Sequence, residues 1–328
     1  LPELRIDPLS GHKTIVAGER SRRPGGEPGC APPEPIDRAR DPFAEGHEDR
    51  TPPELQAMRP GGGAPNSPGW TVRVVPNLYP ALEAPQRRDE TAARSESQLF
   101  VSRPAAGAHE VIVNAPQPVL SLAELPVEQV IAAVEMWRQR MRAHAASACV
   151  ALIVNERREA GASLPHTHAQ LYALDFVPPA PARERERFGA YATRTMGQNL
   201  LGDLVAEEVR RRERIVAIDE EAVLIAPFAS RLPFQLMLAP RTPRARFEDE
   251  GPTGAALLHD GLSRLARHLG SSPPLNMWVR TAPSGAEHFC WRIDVLPRLT
   301  HVAGLELSTD VNLNIVAPEH AAAVLREA

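Results

Sequence analysis

A chain of 328 residues, 43% hydrophobic and 24% charged, can bury one large core or two of ordinary size, which excludes a disordered or fibrous protein. A net charge of −4 argues against a general nucleic-acid-binding surface, so no nucleic-acid partner is expected. Cys30, Cys149 and Cys290 make no disulfide framework, and no apolar run or signal-peptide core points to a membrane, so a cytoplasmic protein without a membrane partner is the expectation.

In chain order, Thr14–Ala17 reads as a short apolar strand, followed by Arg20, Arg22, Arg23 and Pro24. Gly25–Pro35 and Pro60–Gly69 are rich in Pro and Gly and read as loops, with a strand at Thr71–Val75 between the second loop and the polar stretch Glu83–Ser97. A strand at His109–Asn114 leads to a helix near Val127–Ala145, where Val130, Val134, Trp137 and Met141 share one face. Ser121 and Glu124 have capping-box spacing, while Pro126 moves the start of the helix later. Strand Cys149–Asn155, a loop, and strand His166–Leu174 follow. Ala182–Arg212 reads as one long charged helix with a solvated face.

The order then recurs: strand Phe234–Ala239, helix Thr253–Leu269, strand Leu275–Thr281, a Ser-Gly loop and strand His288–Leu296, at nearly the same spacing. Such repetition predicts a duplicated α+β unit, residues 1–175 forming the first copy and 176–328 the second. Setting His288 against His166 puts Cys290 opposite His168 and Arg292 opposite Gln170. On that alignment the second copy lacks whatever the two histidines do, and one reactive centre per chain is expected.

The most informative stretch is Asn155–Leu174, NERREAGASLPHTHAQLYAL. His166, His168 and Gln170 alternate, which places them on one face of a strand. Two imidazoles and an amide, just after a loop holding Gly161 and Ser163, suit phosphate chemistry: one imidazole as nucleophile, with amide, hydroxyl and backbone N–H groups on the oxyanions. A metal pair or two ordinary strand histidines fit H-x-H alone equally well. The arginine bias, with Lys13 the sole lysine, suits planar recognition of phosphate, although a GC-rich genome produces the same bias without function.

The run G-A-S-L-P-H-T-H-A-Q resembles the active-site segment of the galactose-1-phosphate uridylyltransferase family, a branch of the histidine-triad superfamily. RIDPLSGHKTIVAGERSRRP, EGHEDRTPPEL, VRVVPNLYPAL, GAHEVIV, PFASRLPFQ and LPRLTHVAGLEL resemble that family too, in its order, so the likeness spans nearly the whole chain. It implies an α+β fold of two tandem histidine-triad-like units, each an antiparallel sheet with helices packed on it, and a homodimer. It implies nucleotidyl exchange between a nucleotide sugar and a sugar 1-phosphate, with His168 as nucleophile in a ping-pong reaction. The backbone carbonyl of His166 would orient His168, Gln170 would donate to the reacting phosphate, and Ser163 with the Gly161–Leu164 backbone would complete the oxyanion cradle. By the same likeness Asn155 lies near the phosphates, Arg20 and Arg23 hold phosphate groups, Asn77 belongs to the nucleotide loop and Glu306 binds sugar hydroxyls.

The chain departs from the family at its metal sites. The zinc-binding C-P-F-C pair is Asp41-Pro42-Phe43-Ala44, and Pro118 stands for the third ligand, leaving His166. At the second site Glu184 persists, but Arg280, Arg292 and Asp294 stand where the resemblance places histidines. The expectation is a protein without metal or other cofactor, with Asp41, His47, His109 and His166 as a weaker substitute metal set. Two other functions compete: a phosphorylase of nucleotide sugars or dinucleoside polyphosphates, and a nucleotide-sugar-binding protein without turnover.

Overall fold

A computed structural model describes residues 1–22, 28–84, 99–251 and 253–328. Arg23 and most of the polar stretch Glu83–Ser97 lie outside the described residues.

The first half holds β3 (Gln56–Met58), β4 (Val72–Pro76), β5 (Gly107–Val113), α1 (Val127–Ala143), β6 (Cys149–Glu156) and β7 (His168–Leu174), preceded by β1 (Glu3–Ile6) and β2 (Lys13–Val16). After α2 (Pro179–Thr195) and α3 (Leu200–Arg211) come β8 (Ile215–Ile218), β9 (Ala222–Ile225), β10 (Leu236–Pro240), α4 (Ala255–Leu269), β11 (Leu275–Arg280) and β12 (Arg292–Pro297). The chain closes with α5 (Gly304–Thr309), β13 (Val311–Asn314) and α6 (Pro318–Glu327). No described helix is long and apolar enough to cross a membrane.

Ten strands form one antiparallel sheet, in the order β3-β4-β5-β7-β6-β11-β12-β10-β9-β8. The seam is the pair β6–β11. Outward from it each half repeats the same order, β6-β7-β5-β4-β3 on one side and β11-β12-β10-β9-β8 on the other. α1 links β5 to β6 just as α4 links β10 to β11. The α+β duplication expected from the sequence is present, fused into a single sheet.

The pairing corrects the alignment of the copies. Gln170 lies opposite Ile153, Ile153 opposite Trp278, and Trp278 opposite Asp294, a row that is symmetric about the seam. Asp294, not Arg292, is thus the counterpart of Gln170, and Arg292 that of His168. The sequence alignment slipped by two residues because it set histidine on histidine, whereas His288 to Trp291 precede the strand.

Strand periodicity divides the sheet into two faces. Val150, Leu152, Val154, Ala169, Leu171, Met277 and Ile293 point to α1 and α4 and join Trp137 and Trp291 in the main core. Their neighbours Asn155, His168, Gln170, Trp278, Arg280, Arg292 and Asp294 occupy the other face. The core thus makes the sheet rigid and leaves its second face for polar chemistry.

Two further findings differ from the sequence reading. The charged stretch is two helices: Met196 adopts a left-handed conformation at φ 57°, Gly197 follows it, and the Asn199 side chain caps α3 by accepting from the Gly202 N–H. β1, β2 and β13 form a small sheet of their own. It sits on the second half, where Arg5 donates to the Phe228 carbonyl at 3.0 Å and Thr14 to that of Ala229 at 3.1 Å.

Candidate active site

His168 opens β7 and is buried. Its Nδ1–H donates to the carbonyl of His166 at 2.7 Å, which leaves the Nε2 lone pair to face outward without a protein partner among the described residues. Burial holds the imidazole below its ordinary pKa, outweighing the upward pull of the His166 carbonyl, so the ring is neutral at neutral pH. The side of the ring is closed by Phe43, edge-on at 5.2 Å between centroids. A neutral imidazole with a fixed tautomer and one free lone pair is a competent nucleophile.

His166 does a different job. Its ring is fully buried, with Nδ1 2.6 Å from Asp41 Oδ2 and Nε2 donating to the Ala115 carbonyl at 2.8 Å. The ring cannot reach a substrate; what His166 offers the site is its carbonyl. Thr167 faces the helices, where its hydroxyl accepts from Asn114 at 3.1 Å.

Gln170 is held by a network that the sequence did not disclose. Its Oε1 accepts from the Tyr172 hydroxyl at 2.9 Å and lies 3.0 Å from His109 Nε2. The backbone N–H of Ala81 donates to His109 Nδ1 at 3.1 Å, which puts the ring proton on Nε2 with the Gln170 oxygen as its acceptor, while the Asn77 Nδ2 also lies 3.1 Å from Nε2. His109 and Tyr172 also stack, with centroids 4.1 Å apart. With its oxygen taken twice, Gln170 has only its NH₂ to present to a ligand. Asn77 buttresses this network: its N–H bonds the His109 carbonyl at 3.0 Å and its Oδ1 accepts from the Tyr79 N–H at 2.8 Å.

Asn155 is treated in the same way. Its Oδ1 accepts from Asn276 Nδ2 at 2.8 Å, and Asn276 also donates to the Ala160 carbonyl at 2.7 Å, tying down the following loop. The NH₂ of Asn155 is left to donate. Gly161 ends the loop's helical turn at φ 91°, where an L-side chain would be strained. The N–H groups of Gly161 and Ala162 are spent on the carbonyls of Arg158 and Arg157. Any backbone cradle therefore comes from Ser163 and Leu164, and the Ser163 side chain is exposed there.

A family model described as galactose-1-phosphate uridyl transferase, N-terminal domain, matches residues 2–178, and one for a domain of unknown function (DUF4921) matches residues 120–327. The chain belongs to the galactose-1-phosphate uridyl transferase family. ADP-glucose phosphorylase from Arabidopsis thaliana is 28% identical over 341 residues, covering 99% of this chain and 93% of that protein. Galactose-1-phosphate uridylyltransferase from Cryptococcus neoformans is 28% identical over 351 residues, covering 98% and 89%. The crystal structure of the Arabidopsis thaliana ADP-glucose phosphorylase with bound ADP-glucose has a TM-score of 0.80 at 26% identity, with 100% of this chain and 99% of that one covered. As a member of this family the protein is an enzyme of the nucleotidyltransferase class.

At the positions where the family resemblance places metal ligands, this member has other contacts. Asp41 meets His166, and His47 Nδ1 meets the Asp41 carbonyl at 2.7 Å, whereas His109 is engaged with Gln170. Arg292 grips both oxygens of Glu184 at 2.9 and 3.1 Å, and its Nε bonds Asp294 at 3.0 Å. Burial pushes the Glu184 carboxyl up, but Arg292 and Arg280 hold it below the ordinary range. Among the described residues no three His, Cys, Asp or Glu side chains converge as a metal site, and Asp41, His109 and Glu184 are each engaged by a neighbouring side chain.

Arg20 lies exposed after β2, and Glu306 sits on α5, where its Oε2 accepts from the Ala303 N–H at 3.0 Å. No hydrogen bond or ion pair among the described residues joins either of them to the His168 pocket.

Proposed function

We propose that the protein transfers a nucleoside monophosphate from a nucleotide sugar to a second phosphate through a covalent nucleotidyl-histidine on His168. The single observation behind this reading is the buried His168 imidazole, pinned through Nδ1 to the His166 carbonyl, with its Nε2 lone pair unpartnered among the described residues. In the first half-reaction that lone pair forms a P–N bond at the α-phosphorus while the bond to the bridging oxygen breaks, and the electron pair leaves with sugar 1-phosphate. In the second, an oxygen of the acceptor phosphate attacks the same phosphorus and the P–N pair returns to Nε2. No net proton is transferred, so no general acid is needed.

The NH₂ groups of Gln170 and Asn155, with Ser163 and the Leu164 N–H, stabilise charge on the phosphate oxygens. Neither amide can protonate a leaving group, which favours transfer over hydrolysis. Sugar 1-phosphate is the acceptor in the first reading. Orthophosphate is the acceptor in the second, favoured by the likeness to ADP-glucose phosphorylase over 99% of the chain. The reaction uses no metal in either case: side chains already occupy the places a metal would need. A second copy of this chain is the expected partner, because Arg20 and Glu306 complete a site with His168 most simply across a subunit boundary.

Intact-mass measurement after mixing with a panel of nucleotide sugars tests the reading. One donor should add a single nucleoside monophosphate to the wild type, in an acid-labile adduct, and nothing to His168→Asn. Discharge by sugar 1-phosphate to a new nucleotide sugar supports exchange, and faster discharge by orthophosphate supports the phosphorylase. Donors that bind but leave no adduct and exchange no label would leave a binding protein.

A further inference from the structure

On the polar face of the sheet the second half carries a cavity of about 380 Å³, within the range of small-ligand sites. It is closed by the loop from Asp7 to His12, by α2 at Glu184 and by Arg231. Its floor is Trp278, Arg280, Arg292 and Asp294, so it stands where the symmetry of the sheet repeats the His168 pocket. Gln170 and Asp294 are three strand spacings apart, roughly 14 Å; the cavity reaches Ala151 and Ile153 on β6, and Ile153 pairs with Gln170, so it borders the His168 pocket, although neither His168 nor Gln170 lines it.

The hydrogen-bond accounting of the cavity is lopsided. Its acids are spent: Asp7 takes the N–H groups of Leu9 and Ser10, Glu184 takes Arg292 through both oxygens, and Asp294 takes Arg292 Nε. Its donors are not. The Arg231 guanidinium makes no hydrogen bond or ion pair with any described residue and only overlies the Trp278 ring at 5.5 Å. Trp278 Nε1 and Arg280 Nε are buried without a hydrogen-bond acceptor, although Arg280 Nε is 3.2 Å from Glu184 in poor alignment. Arg231 and the Trp278 N–H therefore face a partly desolvated space without an acceptor in hydrogen-bonding position, while Arg280 keeps its ion pair with Glu184 and the carboxylates of Asp294 and Asp7 act on Arg231 only through space. Leaving such donors unpaired is costly, and an anion there would pair them at once.

We propose that this cavity is an anion site, separate from the His168 pocket, that takes a phosphate dianion, free or as a sugar monoester, on Arg231, Arg280 and Trp278. The copy that gave up the nucleophile kept the phosphate recognition. Bidentate arginine chemistry and the planar indole donor suit a tetrahedral oxyanion better than a neutral sugar.

Equilibrium dialysis of the full-length protein with radiolabelled orthophosphate tests this. Arg231→Ala should weaken saturable binding by roughly tenfold or more, the loss of a charge-assisted contact. The nucleotidyl adduct should still form in that variant, which separates this site from the His168 reading. Trp278→Phe keeps the ring and removes one N–H, and should weaken binding roughly three- to tenfold; it decides the matter if circular dichroism shows Arg231→Ala to be misfolded. Displacement of the label by glucose 1-phosphate that persists in His168→Asn and is lost in Arg231→Ala identifies the ester as a ligand of the cavity, and its absence identifies orthophosphate. Binding that is non-saturable, or unchanged in both cavity variants, overturns the proposal.

Discussion

Asn276, on β11 of the second half, donates its side-chain amide to the Oδ1 of Asn155, on β6 of the first half, at 2.8 Å across the seam. A carboxamide has a donor end and an acceptor end of nearly equal size, so what binds its oxygen decides what it shows to a substrate. The second half therefore orients the Asn155 amide of the first, the group that the proposed reaction turns toward phosphate.

Replacing Asn276 with Ala should lower kcat by about tenfold, and Asn276→Asp by about a hundredfold, because a carboxylate opposite Asn155 favours the flipped amide. Affinity for the donor should change much less. If both variants keep wild-type kcat, the seam contact is structural only.

The same logic applies to Gln170, whose oxygen accepts from Tyr172 and His109. Tyr172→Phe and His109→Phe each remove one donor while keeping an aromatic ring in the stack. Each alone should slow adduct formation only a few-fold, since the other donor still holds the oxygen. Together they should cost more than the product of the single effects, by a coupling of about 1 kcal/mol in a double-mutant cycle. Strict additivity would remove the shared orienting role.

The sequence disclosed the parts of this site that lie along one strand and hid those that cross the sheet. His168 and Gln170 stand two residues apart on a face that alternation alone assigns. Tyr172 continues the same alternation on β7, whereas His109 and Asn276 act through pairing register between β5, β7, β6 and β11, and register is fixed by the packed sheet and not by any local pattern. The duplication was legible because strand and helix spacings recur, but its register was not, and histidine matching misplaced it by two residues. The break at Met196 was missed because a left-handed non-glycine residue leaves no strong mark in sequence.

For His168, burial sets the pH behaviour. The folded imidazole protonates below its ordinary value, so kcat/KM for adduct formation should be flat through neutrality and fall only below about pH 6.5, the unperturbed imidazole value. His168→Asn should lose roughly 10⁴-fold or more in exchange while still binding nucleotide. An acid limb centred above pH 7, or turnover within tenfold in the variant, would take His168 out of the mechanism.

Metal content is a separate test. Purified protein should hold well under one equivalent of zinc or iron and keep its activity in chelator, because Asp41 engages His166 and Arg292 engages Glu184. Stoichiometric zinc that is lost together with activity would show that the Asp41–His166 region opens to take an ion.

Glu156, next to Asn155 and on the opposite face, is buried; its Oε1 accepts from the Leu122 N–H at 2.8 Å, and the Ser121 and Thr167 hydroxyls lie beside the carboxyl. Burial pushes its carboxyl from an ordinary 4.5 up to about 7. The folded state thus holds the proton more tightly than the unfolded chain does. The stabilisation is present in full below about pH 4.5 and is lost as pH rises through about 7, an effect on the order of 3 kcal/mol. Glu156→Gln keeps the oxygen that accepts from Leu122 and cannot ionise. Its melting temperature should therefore be close to that of the wild type at pH 5 and higher by several degrees at pH 8, with the gap opening between those values. Parallel melting curves across that range would mean that Glu156 titrates alike in both states, and that the strand beside the nucleophile carries an ionised carboxylate at working pH.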